Sequence, residues 1–277
     1  MKKGRVWYID LMLKNRGVFG GMELLQQELA VEKICTSLIE DHLVKAIFLK
    51  GSMGRNEHDE YSDIDLYCLV EKEDEELFLN KRLEHIKAYR KIIFYDDIYI
   101  IAPQIIVVFD NLLHLDLFTV TEQNFTEKDY FKVLYDPSHL LERFFETQSL
   151  ELSKNEFSDS AIDIAWFLFQ YKKATDRGNN IWAVRMLTNV MEHLARVLLY
   201  KYCPKRAQLG LKTLDQSLPN HILNQVGDIF EQITPINHLT ASSKIRQLLV
   251  EEYEWILSHV SDRSLVEPLL KDMVNVN

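Results

Sequence analysis

The spacing of apolar residues changes along the chain, from mixed helix and strand patterns to helix patterns alone. Residues 22–42 have apolar side chains at helical spacing and predict an amphipathic helix. Short apolar runs at 44–49 and 64–70 predict two strands, and residues 74–90 predict a helix with a charged outer face. Three further runs have the alternation of strands, at residues 92–101, 105–109 and 112–120, and we expect Asp96 and Asp97 to break the first of them. We expect these last strands to be joined by short turns, with Pro103 between the first two.

From about Asp159 onward the strand patterns disappear and long helical periods follow. Residues 159–177 and 181–202 give the clearest amphipathic helices, and shorter helical segments follow them. The two halves together predict an α+β fold, with a mixed sheet and flanking helices followed by an all-helical bundle. We predict an N-terminal extension at residues 1–21, a mixed domain at 22–145 and the helical bundle at 146–277.

The overall composition indicates which kinds of ligand and which cellular compartment to expect. The 277 residues include 32 Lys and Arg against 42 Asp and Glu, a net charge of −10. This excess disfavours general binding to nucleic acid or to an anionic membrane and favours a cationic small molecule. No apolar segment reaches the roughly 18 residues of a membrane span, and the three cysteines are widely separated. We therefore expect a cytoplasmic protein with reduced cysteines.

Candidate chemistry concentrates in residues 46–70, AIFLKGSMGRNEHDEYSDIDLYCLV. The first strand ends in Gly51 and Ser52, and after ten more residues the second strand begins at Asp63 and Asp65. Because strand side chains alternate, both carboxylates point to one side, where their repulsion favours a hard cation such as Mg²⁺. The Gly51 and Ser52 turn allows a phosphate to approach the backbone closely.

A third carboxylate follows in the strand LLHLDLFTV at residues 112–120. Alternation puts His114 and Asp116 on one face and leucines on the other. A lone Asp among apolar strand residues is costly to bury without a charge partner, so we expect Asp116 to lie opposite the first two carboxylates. His114 is a single histidine and indicates a structural residue more readily than a catalytic base.

The run GSMGRNEHDEYSDIDLYCLV resembles the signature of the DNA polymerase β-type nucleotidyltransferase superfamily. The sequence SDIDL within this run is typical of the antibiotic branch. The resemblance implies two Mg²⁺ ions held by Asp63, Asp65 and Asp116. It also implies that Gly51 and Ser52 hold the phosphates of a nucleoside triphosphate. An Arg expected directly after Ser52 is replaced by Met53, and we expect Arg55 to take its role.

The first bundle helix, DIAWFLFQYKKATDRGNNIWAV, is similar to a helix of the aminoglycoside 6-adenylyltransferases. Asp163, Trp166 and Lys173 match its acidic, tryptophan and lysine positions, and with Gln170 they form one stripe along the helix. The resemblance implies that Lys173 neutralises a triphosphate oxygen and that Asp163 takes the proton of the acceptor hydroxyl. A solvated outer face explains the same stripe equally well. The segment TLDQSLP at 213–219 resembles the lincosamide nucleotidyltransferases.

These resemblances imply a Mg²⁺-dependent enzyme that transfers a nucleoside monophosphate, AMP from ATP, to a hydroxyl of a cationic antibiotic such as a lincosamide or aminoglycoside. Either Asp116 or Asp163 is the expected general base. Relatives that dimerise suggest a homodimer. The alternative is a nucleotidyltransferase of a toxin–antitoxin or regulatory system that modifies a protein or RNA.

Overall fold

The computed structural model describes residues 25–125 and 129–275. The N-terminal extension predicted at residues 1–21 lies outside this part of the chain. The described residues form two units that divide between Ser149 and Leu150.

The first unit consists of a six-stranded sheet and helices that precede or interrupt its strands. Its helices are α1 (Gln26–Ile39), the single turn α2 (Gly51–Gly54) and α3 (Glu75–Ile86). Its strands are β1 (Val44–Leu49), β2 (Ile64–Val70), β3 (Ile92–Tyr99), β4 (Pro103–Phe109), β5 (His114–Val120) and β6 (Lys132–Tyr135). Two 3-10 segments, Lys72–Asp74 and Glu142–Thr147, complete it.

The sheet has the strand order β3-β4-β5-β2-β1-β6 and is mixed. Strand β2 pairs with β5 in parallel, whereas all the other neighbouring strands are antiparallel. The parallel pair requires a long crossover, which α3 and the hairpin of β3 and β4 provide. As a result, the starts of β2 and β5 lie side by side in the middle of the sheet.

Alternation along the central strands creates two different apolar faces. On one face, α1 and α3 contribute Ile34, Leu38 and Phe78 to a core that includes Ile47 and Leu49 of β1. The opposite face has an aromatic cluster of Phe48, Tyr67, Phe118, Phe125 and Phe131, in which the Tyr67 and Phe118 rings stack with centroids 4.3 Å apart. The site residues Asp65 and Asp116 lie on this aromatic face, since each stands two positions before one of the stacked rings.

Three details of the sheet differ from the sequence prediction. Asp96 and Asp97 do not break β3, because this edge strand exposes most of its side chains and both carboxylates remain accessible to water. Pro103 begins β4 instead of separating two strands, a position that a residue without an N–H can occupy. Strand β6 was not predicted, because its four residues are too few for a clear alternation.

The second unit is entirely helical in its described residues. Its helices are α4 (Lys154–Asp176), α5 (Asn180–Tyr202), α6 (Leu214–Ser217), α7 (Asn220–Phe230), α8 (His238–His259) and α9 (Arg263–Asn275), with a 3-10 segment at Pro204–Thr213. Ser153 caps α4 by accepting a hydrogen bond from the Glu156 N–H, and Asn179 caps α5 in the same way. The apolar face of α5, which the sequence predicts as an amphipathic helix, is buried at Leu187, Met191 and Leu194.

The predicted fold class is therefore confirmed: a mixed-sheet α+β unit is followed by a helical unit. Among the described residues, no helix is both long and apolar enough to cross a lipid bilayer.

Candidate active site

The three carboxylates predicted from the sequence lie at the start of two neighbouring strands. Asp63 directly precedes β2, Asp65 is the second residue of β2, and Asp116 is in β5. In the parallel pairing of these strands, Asp65 stands opposite Asp116. The Asp116 side chain is 14% exposed, whereas that of Asp63 is 50% exposed and faces solvent.

Gly51 fits closely against the second of these carboxylates. Its φ of 60° lies in the left-handed region that favours glycine. A Cβ at this position would lie 1.9 Å from Oδ2 of Asp65 and 3.0 Å from its Cγ. The backbone amide of Lys50, the residue before Gly51, donates to the Asp65 carbonyl at 3.0 Å. The turn after β1 therefore requires glycine so that the Asp65 carboxylate can lie against the backbone.

The loop between α2 and β2 carries Asp63 and is anchored from α1. Gln27 is fully buried, and its amide donates to the carbonyls of Asp59 at 3.1 Å and Ser62 at 2.9 Å. The Ser62 hydroxyl accepts from the Asp59 N–H and donates to the Asp59 carboxylate. These bonds fix the backbone immediately before Asp63.

His114 lies among the carboxylates, on the same face of β5 as Asp116. Its Nε2 is 3.1 Å from Oδ1 of Asp116, and its Nδ1 is 3.8 Å from Oδ2 of Asp63. The hydrogen bond to Asp116 raises the pKa of His114 above its ordinary value; partial burial opposes this shift, while the charges of Asp116, Asp63 and Asp65 reinforce it. His114 therefore offsets part of the repulsion among the carboxylates.

Asp63, His114 and Asp116 each offer one donor atom, and the three atoms lie within 4.8 Å of one another. Carboxylate oxygens and an imidazole nitrogen are ordinary ligands of divalent cations. Asp65 adds a further carboxylate opposite Asp116. The donor set fits the divalent cation that the sequence resemblance implies at this position.

Lys50 is a buried cation next to this group that the sequence prediction did not select. Lys50 is 5% exposed, and its Nζ lies 5.1 Å from the ring centroids of both Tyr67 and Phe125. Burial lowers the pKa of Lys50 below its ordinary value, while the charges of Asp129 and Asp65 act in the opposite direction. Lys50 therefore places positive charge close to the start of β2.

Arg55, which was predicted to bind the nucleotide, is engaged with two acidic side chains. Its Nε is 3.0 Å from Oε2 of Glu57, and its Nη1 is 3.4 Å from Oδ1 of Asp129. These ion pairs hold the guanidinium at the end of α2. Its role toward phosphate stays a prediction.

Asp163 and Lys173 belong to the second unit, on α4. The Asp163 carboxylate lies 3.5 Å from Nδ1 of His193, and burial lowers the pKa of that histidine although Asp163 opposes the shift. Lys173 is exposed and lies over the Phe169 ring at 5.3 Å. Trp166 is 46% exposed, so this stripe is not part of the bundle core. The catalytic roles of Asp163 and Lys173 stay predictions.

His114, Lys50 and Gln27 are site residues that the sequence alone does not identify. The alternation in β5 already put His114 beside Asp116, which was the available signal. Lys50 directly precedes Gly51, but its burial among aromatic rings depends on the opposite sheet face. The role of Gln27 depends on a contact between α1 and a loop more than 30 residues away in sequence, and no local pattern predicts that contact.

Comparison with known proteins gives the class of this site. Residues 31–164 match the family model described as a nucleotidyltransferase domain. Comparison with curated proteins gave no match. Solved structures similar to this chain include an aminoglycoside 6-adenyltransferase from Bacillus subtilis, which is 14% identical, with 91% of this chain and 98% of that chain covered and a TM-score of 0.34. Another is a nucleotidyltransferase-like protein from Exiguobacterium sibiricum 255-15, which is 12% identical, with 89% and 88% covered and a TM-score of 0.38.

Both TM-scores are below 0.5, so the assignment rests on the family model. The matched range contains Gly51, Ser52 and the three carboxylates. The chain thus carries a nucleotidyltransferase domain, and the protein is a nucleotidyltransferase.

Proposed function

We propose that this nucleotidyltransferase transfers AMP from ATP to a hydroxyl group of a small cationic antibiotic, of the lincosamide or aminoglycoside type. We propose that the transfer depends on Mg²⁺. The observation that carries the proposal is the group of donor atoms from Asp63, His114 and Asp116 within 4.8 Å. Asp65, opposite Asp116, adds to it. Carboxylates on neighbouring strands are the arrangement that metal-assisted phosphoryl transfer requires.

In the proposed reaction, the acceptor oxygen attacks the α-phosphorus of ATP, the bond to the β,γ-pyrophosphate breaks, and pyrophosphate leaves. Asp63, Asp65 and Asp116 would hold two divalent cations, which supply positive charge to the attacking oxygen and to the leaving phosphates. Asp116 or Asp163 would accept the hydroxyl proton. Gly51 and Ser52 would contact the phosphates, with Arg55 and Lys173 providing further positive charge.

A cationic acceptor suits the charges around the site. The loop that leads to Asp63 exposes the acidic side chains of Asp59 and Glu60, and the chain has a net charge of −10. A positively charged acceptor is attracted by such a surface, whereas a polyanion such as RNA is repelled. We also propose a cytoplasmic enzyme and a homodimer; light scattering of the purified protein tests the oligomeric state.

Neutralising the carboxylates tests the proposed chemistry. We expect Asp63→Asn and Asp65→Asn each to abolish pyrophosphate release, because an amide does not supply the negative charge that holds the cation. Asp74→Asn is a matched control: this residue lies in the same unit, outside the proposed site. Circular dichroism checks that all three variants are folded. Normal turnover by either site variant would reject the assignment of these residues.

The acceptor and nucleotide require a separate experiment. The purified enzyme is incubated with lincosamides or aminoglycosides and with ATP, GTP, CTP or UTP, and the products are analysed by mass spectrometry. We expect a product heavier by one AMP unit with ATP. If a protein or RNA were nucleotidylated and the antibiotics left unmodified, the enzyme would belong to a toxin–antitoxin or regulatory system instead.

A further inference from the structure

The imidazole of His114 lies between carboxylates that come from different segments of the chain. Asp116 is two positions further along β5, and Asp63 precedes β2. Nε2 faces Asp116 at 3.1 Å, while Nδ1 faces Asp63 at 3.8 Å. The His114 side chain is 38% exposed, so a cation from solvent can reach the ring. Each ring nitrogen thus faces one of the two carboxylates, and one nitrogen of the ring is available to bind a cation that these carboxylates hold.

The separations are close to those of ligands on one ion. Two donors on opposite sides of a cation with bonds of about 2.1 Å are about 4.2 Å apart. The donor atoms of Asp63, His114 and Asp116 already lie within 4.8 Å of one another. Small side-chain rotations would therefore bring all three onto one cation. In the part of the chain that the structure describes, no other group of three histidine, cysteine, aspartate or glutamate side chains brings its donor atoms this close together.

Asp65 is placed differently. Its carboxylate lies against Gly51, where a Cβ would be 1.9 Å away, and it is not a member of this close group. An ion bound by the close group would have two carboxylates and one imidazole as its protein ligands. Mg²⁺ prefers oxygen donors, whereas an imidazole nitrogen also suits first-row transition metals. Mn²⁺ shares the preference of Mg²⁺ for carboxylate oxygens, but as a first-row transition metal it also binds an imidazole nitrogen more readily than Mg²⁺ does.

We propose that His114 is a direct ligand of one catalytic cation and makes this site prefer Mn²⁺ over Mg²⁺. The proposal rests on the proposed function and refines the identity of its metal. The competing explanation is that His114 only donates a hydrogen bond to Asp116 and orients that carboxylate. The two explanations differ in whether the nitrogen bonds to the metal.

Electron spin echo envelope modulation of the Mn²⁺-loaded protein distinguishes these explanations. At pH 7.5, we expect the wild-type protein to show the ¹⁴N coupling of a directly bound imidazole. His114→Gln should bind Mn²⁺ more weakly and lose this coupling. His139→Gln is the matched control, because His139 is an exposed histidine that also pairs with a carboxylate, at 2.6 Å from Glu142. This control should retain the coupling.

Metal affinities provide a second measurement, from the free Mn²⁺ signal in electron paramagnetic resonance and its change on addition of Mg²⁺. We expect His114→Gln to weaken Mn²⁺ binding about tenfold to a hundredfold and to leave Mg²⁺ binding nearly unchanged. Asp63→Asn should weaken the binding of both ions.

The outcomes separate this proposal from the function on which it rests. Mn²⁺ bound by the wild-type protein without ¹⁴N coupling, or equal losses of Mn²⁺ and Mg²⁺ affinity in His114→Gln, would overturn the role of His114 and leave the nucleotidyl transfer intact. If neither ion bound, with or without a non-hydrolysable ATP analogue, both proposals would fail.

Discussion

Replacement of Gly51 by alanine tests the close fit between the turn after β1 and the Asp65 carboxylate. The new Cβ would lie 1.9 Å from Oδ2 of Asp65. An ordinary van der Waals contact begins at 3.4 Å, so the carboxylate would have to move by about 1.5 Å. The φ of 60° at Gly51 adds backbone strain, since an L-residue rarely adopts it. The variant therefore combines a local strain with the displacement of a proposed metal ligand.

The two contributions can be estimated separately. A non-glycine residue in the left-handed region costs about 1–2 kcal/mol, and forcing Asp65 away from its preferred rotamer costs about 0.5–1.5 kcal/mol. We expect the first unit to lose about 2–3 kcal/mol of stability. Because a misplacement of about 1 Å at a reacting centre can cost about 100-fold in rate, we expect turnover to fall at least that much.

Gly178 provides a matched control. It has a φ of 68°, close to that of Gly51, but a Cβ there would have no neighbour within 4 Å. Gly178→Ala should therefore lose only the stability that the backbone strain costs, about 1–2 kcal/mol, and the enzyme should keep its activity. A second comparison is Gly51→Ala in an Asp65→Ala background, where the clash is removed and the strain remains.

The assay must report each unit separately. The tryptophans among the described residues are Trp166, Trp182 and Trp255, all in the helical unit. Their fluorescence during urea unfolding therefore measures the loss of stability in Gly178→Ala. Hydrogen exchange of peptides from β1 and β2 measures the loss of stability in Gly51→Ala. Wild-type turnover of Gly51→Ala, or an equal loss of stability with and without the Asp65 side chain, would refute the importance of this close fit.

Two further predictions concern stability. Asp41 is buried, which alone would raise its pKa, but hydrogen bonds from the Leu43 N–H and His85 lower the pKa overall. Its stabilising contribution is thus present above the unfolded pKa of about 3.9 and is lost as pH falls through the folded pKa. Asp41→Asn should therefore make the stability of the first unit, measured by hydrogen exchange, less dependent on pH in acid. An unchanged pH dependence would contradict this prediction. In the helical unit, buried Glu252 accepts from the Tyr202 hydroxyl at 2.9 Å, and Glu252→Ala should cost about 1–3 kcal/mol in urea unfolding. Exposed Glu251→Ala should change little, and equal effects would count against the role of burial.

The sequence was sufficient to predict the elements whose pattern is local. The long helices of the second unit and the central strands of the first were predicted because each buries one face or alternates over enough residues. Strand β3 was predicted with a break at Asp96 and Asp97, because charge inside a strand normally indicates a turn. That inference assumes a buried strand. At the edge of the sheet the same carboxylates remain in water, and only the strand order shows that β3 is an edge.

The site, like the fold, contains residues that the local pattern predicts and residues whose placement depends on the arrangement of the strands. Alternation predicted that Asp63 and Asp65 lie on one side, and the parallel register of β2 and β5 then placed Asp116 opposite Asp65. The burial of Lys50 beside the Tyr67 ring could not be predicted, because it depends on which strands become neighbours and on the aromatic residues that cover that face of the sheet.

The two aspartates of the motif look equivalent in sequence, but different parts of the structure position them. Asp65 belongs to β2, so the sheet fixes its backbone and Gly51 leaves space for its carboxylate. Asp63 lies before the strand and is half exposed, so it depends on the loop that precedes it. That loop is held by Gln27, a buried residue of α1. Because ordering a loop costs conformational entropy, the bonds of Gln27 offset that cost before any cation binds. Helix α1, which contributes no carboxylate, is therefore part of what brings Asp63 to His114 and Asp116.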